Sequence, residues 1–112
     1  MPPGEEDSAR SFYAELLGLQ EVPKPEQLAR RGGCWFRGPA LELHLGVERE
    51  FRPARKAHVA FKVKGLSALR ASLVRAGTEI ADDTQLEGYE RFYAYDPFGN
   101  RLEFLEEQAQ VS

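Results

Sequence analysis

The sequence predicts the same order of elements twice, and this repetition constrains the fold more than any other feature. Helices are predicted over 8–17 and 66–76, because apolar residues recur there at helical spacing. Gly18 and Gly77 follow these helices, and glycine commonly ends a helix because it tolerates a left-handed backbone. A short alternating strand and a two-strand hairpin come next in each copy. The pattern predicts an internally duplicated α+β protein.

The predicted strands lie at matching positions in the two copies. They cover 19–22, 34–37 and 40–45 in the first copy and 78–81, 91–95 and 101–105 in the second. In the second hairpin the connection is Asp96-Pro97-Phe98-Gly99-Asn100, which is rich in turn-forming residues. The separation of Gly18 from Glu42 is nearly that of Gly77 from Glu103, so the repeat extends to the last strand.

One element is present only in the second copy. Residues 57–63 alternate and contain β-branched and aromatic side chains, which predicts a strand before the second helix. Before the first helix stand seven residues that include two prolines, too few for such a strand. We therefore expect one domain over 1–112, with an incomplete module at 1–49 and a complete one at 57–108.

The alternation of each strand predicts which side chains share a face. Leucines at 41, 43 and 45 take one face of the 40–45 strand, which leaves Glu42 and His44 on the other. The same alternation turns Val59 and Phe61 to the core and His58 away from it. The face predicted to point away from the core carries Trp35, Arg37, Glu42, His44, His58, Arg91, Tyr93, Tyr95, Arg101 and Glu103.

Two interpretations of this second face fit the sequence. It can be the solvated face of a sheet, where Glu, His and Arg are ordinary. It can also line a ligand pocket, which accounts better for the aromatic residues Trp35, Tyr93 and Tyr95 among the charges.

Composition excludes several classes of function. A net charge of −3 over 112 residues gives no reason to expect nucleic acid as a partner. No stretch approaches the roughly 18 apolar residues of a membrane span. Cys34 is the single cysteine and forms no internal disulfide, which together with the absence of a secretory signal favours the cytoplasm.

Three strings of the sequence resemble the vicinal oxygen chelate superfamily, which includes glyoxalase I, bleomycin-resistance proteins, fosfomycin-resistance enzymes and extradiol dioxygenases. They are the helix ending at Leu16-Leu17-Gly18-Leu19, the strand Ala57-His58-Val59-Ala60-Phe61, and Asp96-Pro97-Phe98-Gly99-Asn100 leading into Leu102-Glu103-Phe104. The resemblance covers nearly the whole chain. It implies two βαβββ modules, the first without its opening strand, whose curved mixed sheets surround a cleft, usually in a homodimer.

The resemblance also implies a metal site. Glyoxalase-like members take ligands from the first and last strands of each module, and Glu42, His58 and Glu103 occupy three of those four positions. The fourth position belongs to the strand that this chain lacks. Imidazole and carboxylate ligands suit Zn, Ni, Mn or Fe. Glu103 or Glu42 is then the candidate catalytic base, in a metal-dependent lyase, isomerase or dioxygenase acting on a small oxygenated substrate.

The same residues allow a metal-free alternative. Without a metal, Arg37, Arg91 or Arg101 can neutralise the two carboxylates. The protein would then sequester a drug, as bleomycin-resistance proteins do, or would be a catalytically silent relative. The residues expected to contact the small molecule are Trp35, Arg37, His44, Tyr93 and Tyr95.

Overall fold

The chain divides into two compact units, Met1–Pro53 and the residues from Ala54 onward, in a computed structural model that describes residues 1–84 and 86–108. Positions 85 and 109–112 of the predicted 1–112 domain lie outside the described residues. Each unit combines helices with its own sheet. The predicted α+β class with mixed sheets is therefore confirmed.

Unit 1 contains a three-stranded antiparallel sheet in the order β1-β2-β3. Its elements are α1 (Glu6–Ala9), a π-helical segment (Arg10–Leu16), β1 (Gln20–Val22), α2 (Glu26–Ala29), β2 (Cys34–Gly38) and β3 (Leu41–Leu45). The short helix α2 was not predicted. Beyond β3, the ammonium of Met1 donates to the Gly46 carbonyl at 2.8 Å, and the Met1 carbonyl accepts from the Glu48 amide at 3.0 Å.

Unit 2 contains a four-stranded sheet in the order β4-β7-β6-β5. Its elements are β4 (Val59–Lys62), α3 (Leu66–Arg75), β5 (Ile80–Ala81), β6 (Tyr89–Tyr95) and β7 (Arg101–Glu107). β4 runs parallel to β7, whereas the other pairs are antiparallel. β7 is therefore a central strand with a neighbour on each side. Unit 1, described throughout, has no counterpart of β4.

The two predicted helices end as expected, but the first differs inside. Gly18 and Gly77 adopt positive φ values of 75° and 81°. The amide of Thr78 reaches back to the Leu73 carbonyl and that of Gly77 to the Val74 carbonyl, each at 3.0 Å, which closes α3. The first helix starts at Glu6 rather than residue 8 and widens into π-type turns, with the Leu17 amide bonded to the Phe12 carbonyl at 3.0 Å.

Helix α3 is fixed to the sheet at its start by β7. The Glu106 carboxylate accepts hydrogen bonds from the amides of Gly65 and Leu66 at 2.9 and 3.1 Å. These are two of the amides that a helix leaves unsatisfied at its N-terminus. A negative charge there also complements the helix dipole. These two hydrogen bonds join the end of β7 to the start of α3.

Each unit buries an aromatic core on the side of the sheet predicted by alternation. Phe36 is buried with Tyr13 in unit 1, and Phe104 with Phe92 in unit 2. The core prediction for Val59 is wrong, since it is 43% exposed, and so is that for Val74 of the second predicted helix, which is 56% exposed. Val59 opens β4, an edge strand with β7 as its one neighbour among the described residues, so little of the sheet covers it.

The turn before β7 is held by one carboxylate. Asp96 accepts from the amides of Phe98 and Asn100 at 2.9 and 2.8 Å and from the Asn100 side chain at 2.9 Å. Gly99 supplies the positive φ of 88° that this turn requires. The Asn100 side chain in turn accepts from the Ala54 amide at 2.9 Å. The turn therefore sets where Arg101 and the rest of β7 begin.

No helix in residues 1–84 and 86–108 combines the length and the apolar character that crossing a bilayer demands.

Candidate functional site

The structure brings together two of the predicted site residues in unit 2, His58 and Glu103. Ala60 of β4 lies beside Glu103 of β7 in the parallel register, and His58, two residues before Ala60, takes the same face. The His58 Nε2 lies 2.8 Å from the Glu103 Oε1. Their side chains are 24% and 10% exposed, so the contact is partly shielded from water.

Both ring nitrogens of His58 face oxygen acceptors. Nδ1 lies 3.0 Å from the Lys56 carbonyl oxygen, which can only accept, so Nδ1 carries a proton. Nε2 faces the Glu103 carboxylate, and this contact needs a second proton, on Nε2 or on the carboxyl group. An imidazole nitrogen and a carboxylate oxygen at hydrogen-bond distance can exchange a proton, which suits general acid–base chemistry.

The second oxygen of Glu103 faces a guanidinium. Nη1 of Arg91 lies 3.5 Å from Oε2 and donates to the Tyr93 hydroxyl at 2.8 Å. Tyr93 is opposite Glu103 across the β6–β7 ladder, so its ring shares the face, and it meets the His58 ring edge-on at 5.5 Å between centroids. The guanidinium of Arg101 lies over the Tyr93 ring at 4.0 Å. We call these five residues, His58, Arg91, Tyr93, Arg101 and Glu103, the unit 2 cluster.

At Glu103 and Tyr93 the unit 2 cluster is not a solvated sheet face, whereas His58 as a whole residue is exposed at its margin. Glu103 is 8% exposed and Tyr93 6% exposed. Of the residues predicted for this unit, Tyr95 lies opposite Arg101 in the ladder and therefore shares the face. Arg91 and Arg101 were predicted only as neutralising charges. The alternation that placed both on this face was the signal for a closer role.

The predicted residues of unit 1 also meet one another, on the β2–β3 hairpin. Trp35 is opposite His44, and their rings stack 3.7 Å apart with planes at 1°. Arg37 is opposite Glu42, with its Nη2 3.3 Å from Oε1, and His44 Nε2 lies 3.5 Å from Glu42 Oε2. The side chains of Arg37, Glu42 and His44 are 58%, 52% and 45% exposed. The hairpin therefore brings these residues together on a solvent-exposed surface.

The donor chemistry of His58 and Glu103 fits two positions of a divalent cation. Ligand atoms about 2.0–2.2 Å from a metal lie about 3 Å apart at adjacent positions, close to the separation seen here. A cation would take the place of the shared proton. Neither unit, over its described residues, has three or more His, Cys, Asp or Glu side chains grouped to hold a metal ion.

The chain matches one protein family over most of its length. The family model of the glyoxalase-like domain matches residues 5–105. A curated plant protein, Glyoxylase I 4 of Arabidopsis thaliana, is 25% identical over 108 residues. The chain spans 62% of that protein's length, and the match includes 87% of this chain.

Solved structures share the fold. A glyoxalase family protein from Bacillus anthracis is 47% identical, with a TM-score of 0.91 over 96% of this chain and 88% of that one. A glyoxalase/dioxygenase from Nostoc punctiforme is 22% identical, with a TM-score of 0.77 over 97% of this chain and 88% of its own. The second likeness concerns the fold alone.

Proposed function

The chain belongs to the glyoxalase-like domain family of the vicinal oxygen chelate superfamily, and from this premise we propose that it binds a small oxygenated molecule at the face carrying His58 and Glu103. The observation that carries the proposal is the shielded contact between His58 Nε2 and Glu103 Oε1. A buried carboxylate that shares a proton with an imidazole is costly to maintain for stability alone. An imidazole and a carboxylate at this distance are the groups that enzymes commonly use for general acid–base catalysis.

In the enzymatic form of this proposal the protein is a lyase, isomerase or dioxygenase that depends on a divalent metal. In unit 2, His58 and Glu103 would hold the ion, Zn, Ni, Mn or Fe, while the ligand role of Glu42 stays a prediction from the sequence. When bound, the ion would supply Lewis-acid stabilisation to two neighbouring substrate oxygens.

The chain's own residues account for proton movement in this proposal. Glu103, or Glu42, accepts a proton from the carbon beside the substrate carbonyl. Because His58 Nε2 would be a metal ligand in this form, the proton stays on the carboxylate, which returns it to the substrate. Arg91 keeps a positive charge near the second carboxylate oxygen and holds the Tyr93 hydroxyl in place. Tyr93 and Tyr95 are the proposed contacts to substrate in unit 2, while the contacts of Trp35, Arg37 and His44 in unit 1 stay predictions from the sequence.

Metal analysis of protein purified without chelator tests the enzymatic form. The chain has two histidines, so His44→Ala is a matched control for His58→Ala. We expect the native protein and His44→Ala to retain the metal and to be stabilised by it in a thermal-shift assay, and His58→Ala to lose both effects. Native protein with no bound metal, and no shift with any of the four ions, would exclude the enzymatic form.

A metal-free binding protein of the drug-sequestering kind is the second candidate. It is favoured by the direct hydrogen bond between His58 and Glu103, which satisfies both groups without an ion. Trp35 is the single tryptophan, so its fluorescence can be titrated with cationic antibiotics. A saturable change that EDTA does not abolish supports sequestration. An unchanged signal with every compound counts against it.

We further propose a homodimer in the cytoplasm. β3 of unit 1 pairs with β2 on one side, and a strand edge of this kind is commonly covered by another chain. Cys34 is a buried free thiol, and free cysteines are typical of a reducing compartment. Light scattering at micromolar concentration should give twice the monomer mass, and a monomeric mass would refute the dimer.

A further inference from the structure

The unit 2 cluster carries more positive than negative charge. Arg91 and Arg101 contribute two guanidinium groups, whereas Glu103 contributes one carboxylate. Among these five residues the formal balance is positive by one charge before any contribution from His58, and the Asp83 carboxylate that interacts with both arginines is exposed to solvent, outside the shielded part. In a partly shielded site such a balance is costly, because charges in low dielectric need partners. An anion that binds here would remove the imbalance.

Arg101 has hydrogen-bonding capacity that the described residues leave unused. Its Nε is buried and has no hydrogen-bond partner there. Its Nη1 makes one long contact of 3.4 Å to the Arg55 carbonyl. An arginine side chain has five N–H donors in a planar fork, the shape that binds a carboxylate through two bonds.

Arg91 differs, since the structure already uses its donors. Nε and Nη2 both donate to the Thr84 carbonyl, and Nη1 donates to the Tyr93 hydroxyl and faces Glu103. Arg91 therefore serves to hold the cluster together. The unfilled donor belongs to Arg101, whose position is fixed by its own backbone, because its amide donates to the Ala54 carbonyl at 2.7 Å.

The aromatic ring of the cluster is already occupied by a cation. Arg101 lies 4.0 Å above the Tyr93 ring, and Arg91 is 5.3 Å from its centroid. A cationic ligand that stacked on Tyr93 would have to displace a guanidinium and would add a further positive charge. Both effects disfavour cations and favour anions.

We propose that the unit 2 cluster selects a ligand bearing a carboxylate group, with Arg101 as the residue that determines this specificity. The inference rests on the proposed function, since it names the substrate class of the same face. The two Nη groups of Arg101, which are not buried as its Nε is, bind the two carboxylate oxygens, while the neighbouring oxygen of the ligand faces His58 and Glu103. A neutral amide of the same shape lacks the negative charge that Arg101 requires.

Calorimetric titration with paired probes tests this selectivity at neutral pH. Mandelate and lactate each carry two vicinal oxygens and a negative charge, and mandelamide and lactamide are their neutral counterparts. We expect each acid to bind at least about tenfold more tightly than its amide, the size expected for one hydrogen bond between charged groups. Equal affinities, or no heat from either acid at millimolar concentration, would overturn the proposal.

Three variants assign the effect to Arg101. Arg101→Gln should weaken acid binding by about tenfold and leave amide binding unchanged, while Arg101→Lys keeps the charge without the fork and should fall between. Arg75→Gln removes an exposed arginine of α3 in the same unit and should change neither. Arg101→Gln with a native acid preference would remove the assigned role.

His58→Ala separates this inference from the proposed function. If the face binds ligand as proposed, the variant weakens acids and amides alike. If His58→Ala loses the binding of acids and amides while the native protein shows no preference for acids, the charge selectivity is refuted and the binding face is not. Native affinity for every probe in His58→Ala refutes the binding face, and the selectivity fails with it.

Discussion

Glu42 and Glu103 occupy equivalent positions in the last strands of the two units, yet their surroundings differ. The Glu103 side chain is 10% exposed and lies 2.8 Å from His58, whereas the Glu42 side chain is 52% exposed and lies 3.5 Å from His44. The difference follows from the sheets: β7 has neighbours on both sides, while β3 is an edge strand. The extra strand β4 places His58 against Glu103. The presence of the parallel strand β4 therefore explains why the polar cluster of unit 2 is shielded and that of unit 1 is solvated.

Other features are alike in the two units. Arg10 binds Glu21 at 2.9 and 3.1 Å, and Arg70 binds Asp82 at 2.8 and 3.0 Å. In each unit, an ion pair with two hydrogen bonds therefore joins the helix to the strand segment that follows it. The two units therefore have a similar arrangement of helix and strands and differ on the sheet surface that points away from the core. Substitutions can test where the likeness ends.

The largest effects are expected in the two cores, where the units should agree. Phe36 is 0% exposed and Phe104 1% exposed. Phe36→Ala and Phe104→Ala should each lower the free energy of unfolding by about 3–5 kcal/mol through lost burial and a cavity. Urea denaturation measures this, with exposed Val74→Ala as the control expected within about 0.5 kcal/mol of native. A small cost at either phenylalanine would contradict equivalent cores.

The second prediction concerns the two glutamates, where the units should disagree. Glu103→Ala removes the partner of His58 and Arg91 and should cost about 1–3 kcal/mol, because it leaves shielded donors unpaired. Glu42→Ala acts in water and should cost less than about 0.5 kcal/mol. Equal losses in urea denaturation would remove the distinction between the units.

A smaller effect is expected at the Trp35–His44 stack of unit 1. His44→Ala uncovers one face of the indole and should cost about 0.5–1.5 kcal/mol. Acrylamide should quench Trp35 fluorescence more strongly in this variant. Glu15→Ala, an exposed change in the same unit, should leave quenching at the native level. Unchanged quenching in His44→Ala would show that the stack does not persist in solution.

The smallest effect is expected at the Arg70–Asp82 ion pair. The Arg70 guanidinium holds the pKa of the Asp82 carboxyl below its ordinary value. A lowered carboxyl pKa stabilises the folded state above the unfolded-state pKa, and this contribution is lost as pH falls through the folded value. Asp82→Asn should therefore be slightly less stable than native protein at neutral pH and equal to it in strong acid. A stability difference between native protein and Asp82→Asn that grows as pH falls would contradict this prediction.

Much of the fold could be predicted because it depends on short-range sequence patterns. Gly18 and Gly77 end helices, alternation separates Phe36 from Trp35, and the Asp96–Asn100 turn follows from its residues. These features depend on neighbours a few positions apart. They require no knowledge of tertiary packing.

The parts that could not be predicted depend on distant neighbours. Alternation assigned Glu103 and Tyr93 to the second face but could not show that both are buried there, since burial depends on strands distant in sequence, such as β4 beside β7. Val59 follows the core pattern and is nonetheless exposed, because its strand lies at an edge. The π-type widening after Ala9 has no sequence signal that we recognise.

A double-mutant cycle between His58 and Glu103 tests the central claim most directly. We expect His58→Ala and Glu103→Ala to be non-additive by about 1–2 kcal/mol in unfolding free energy, while His44→Ala and Glu42→Ala add within about 0.5 kcal/mol. That result would mean that the imidazole and the carboxylate of unit 2 act as one group. Additive effects at His58 and Glu103 would contradict the account.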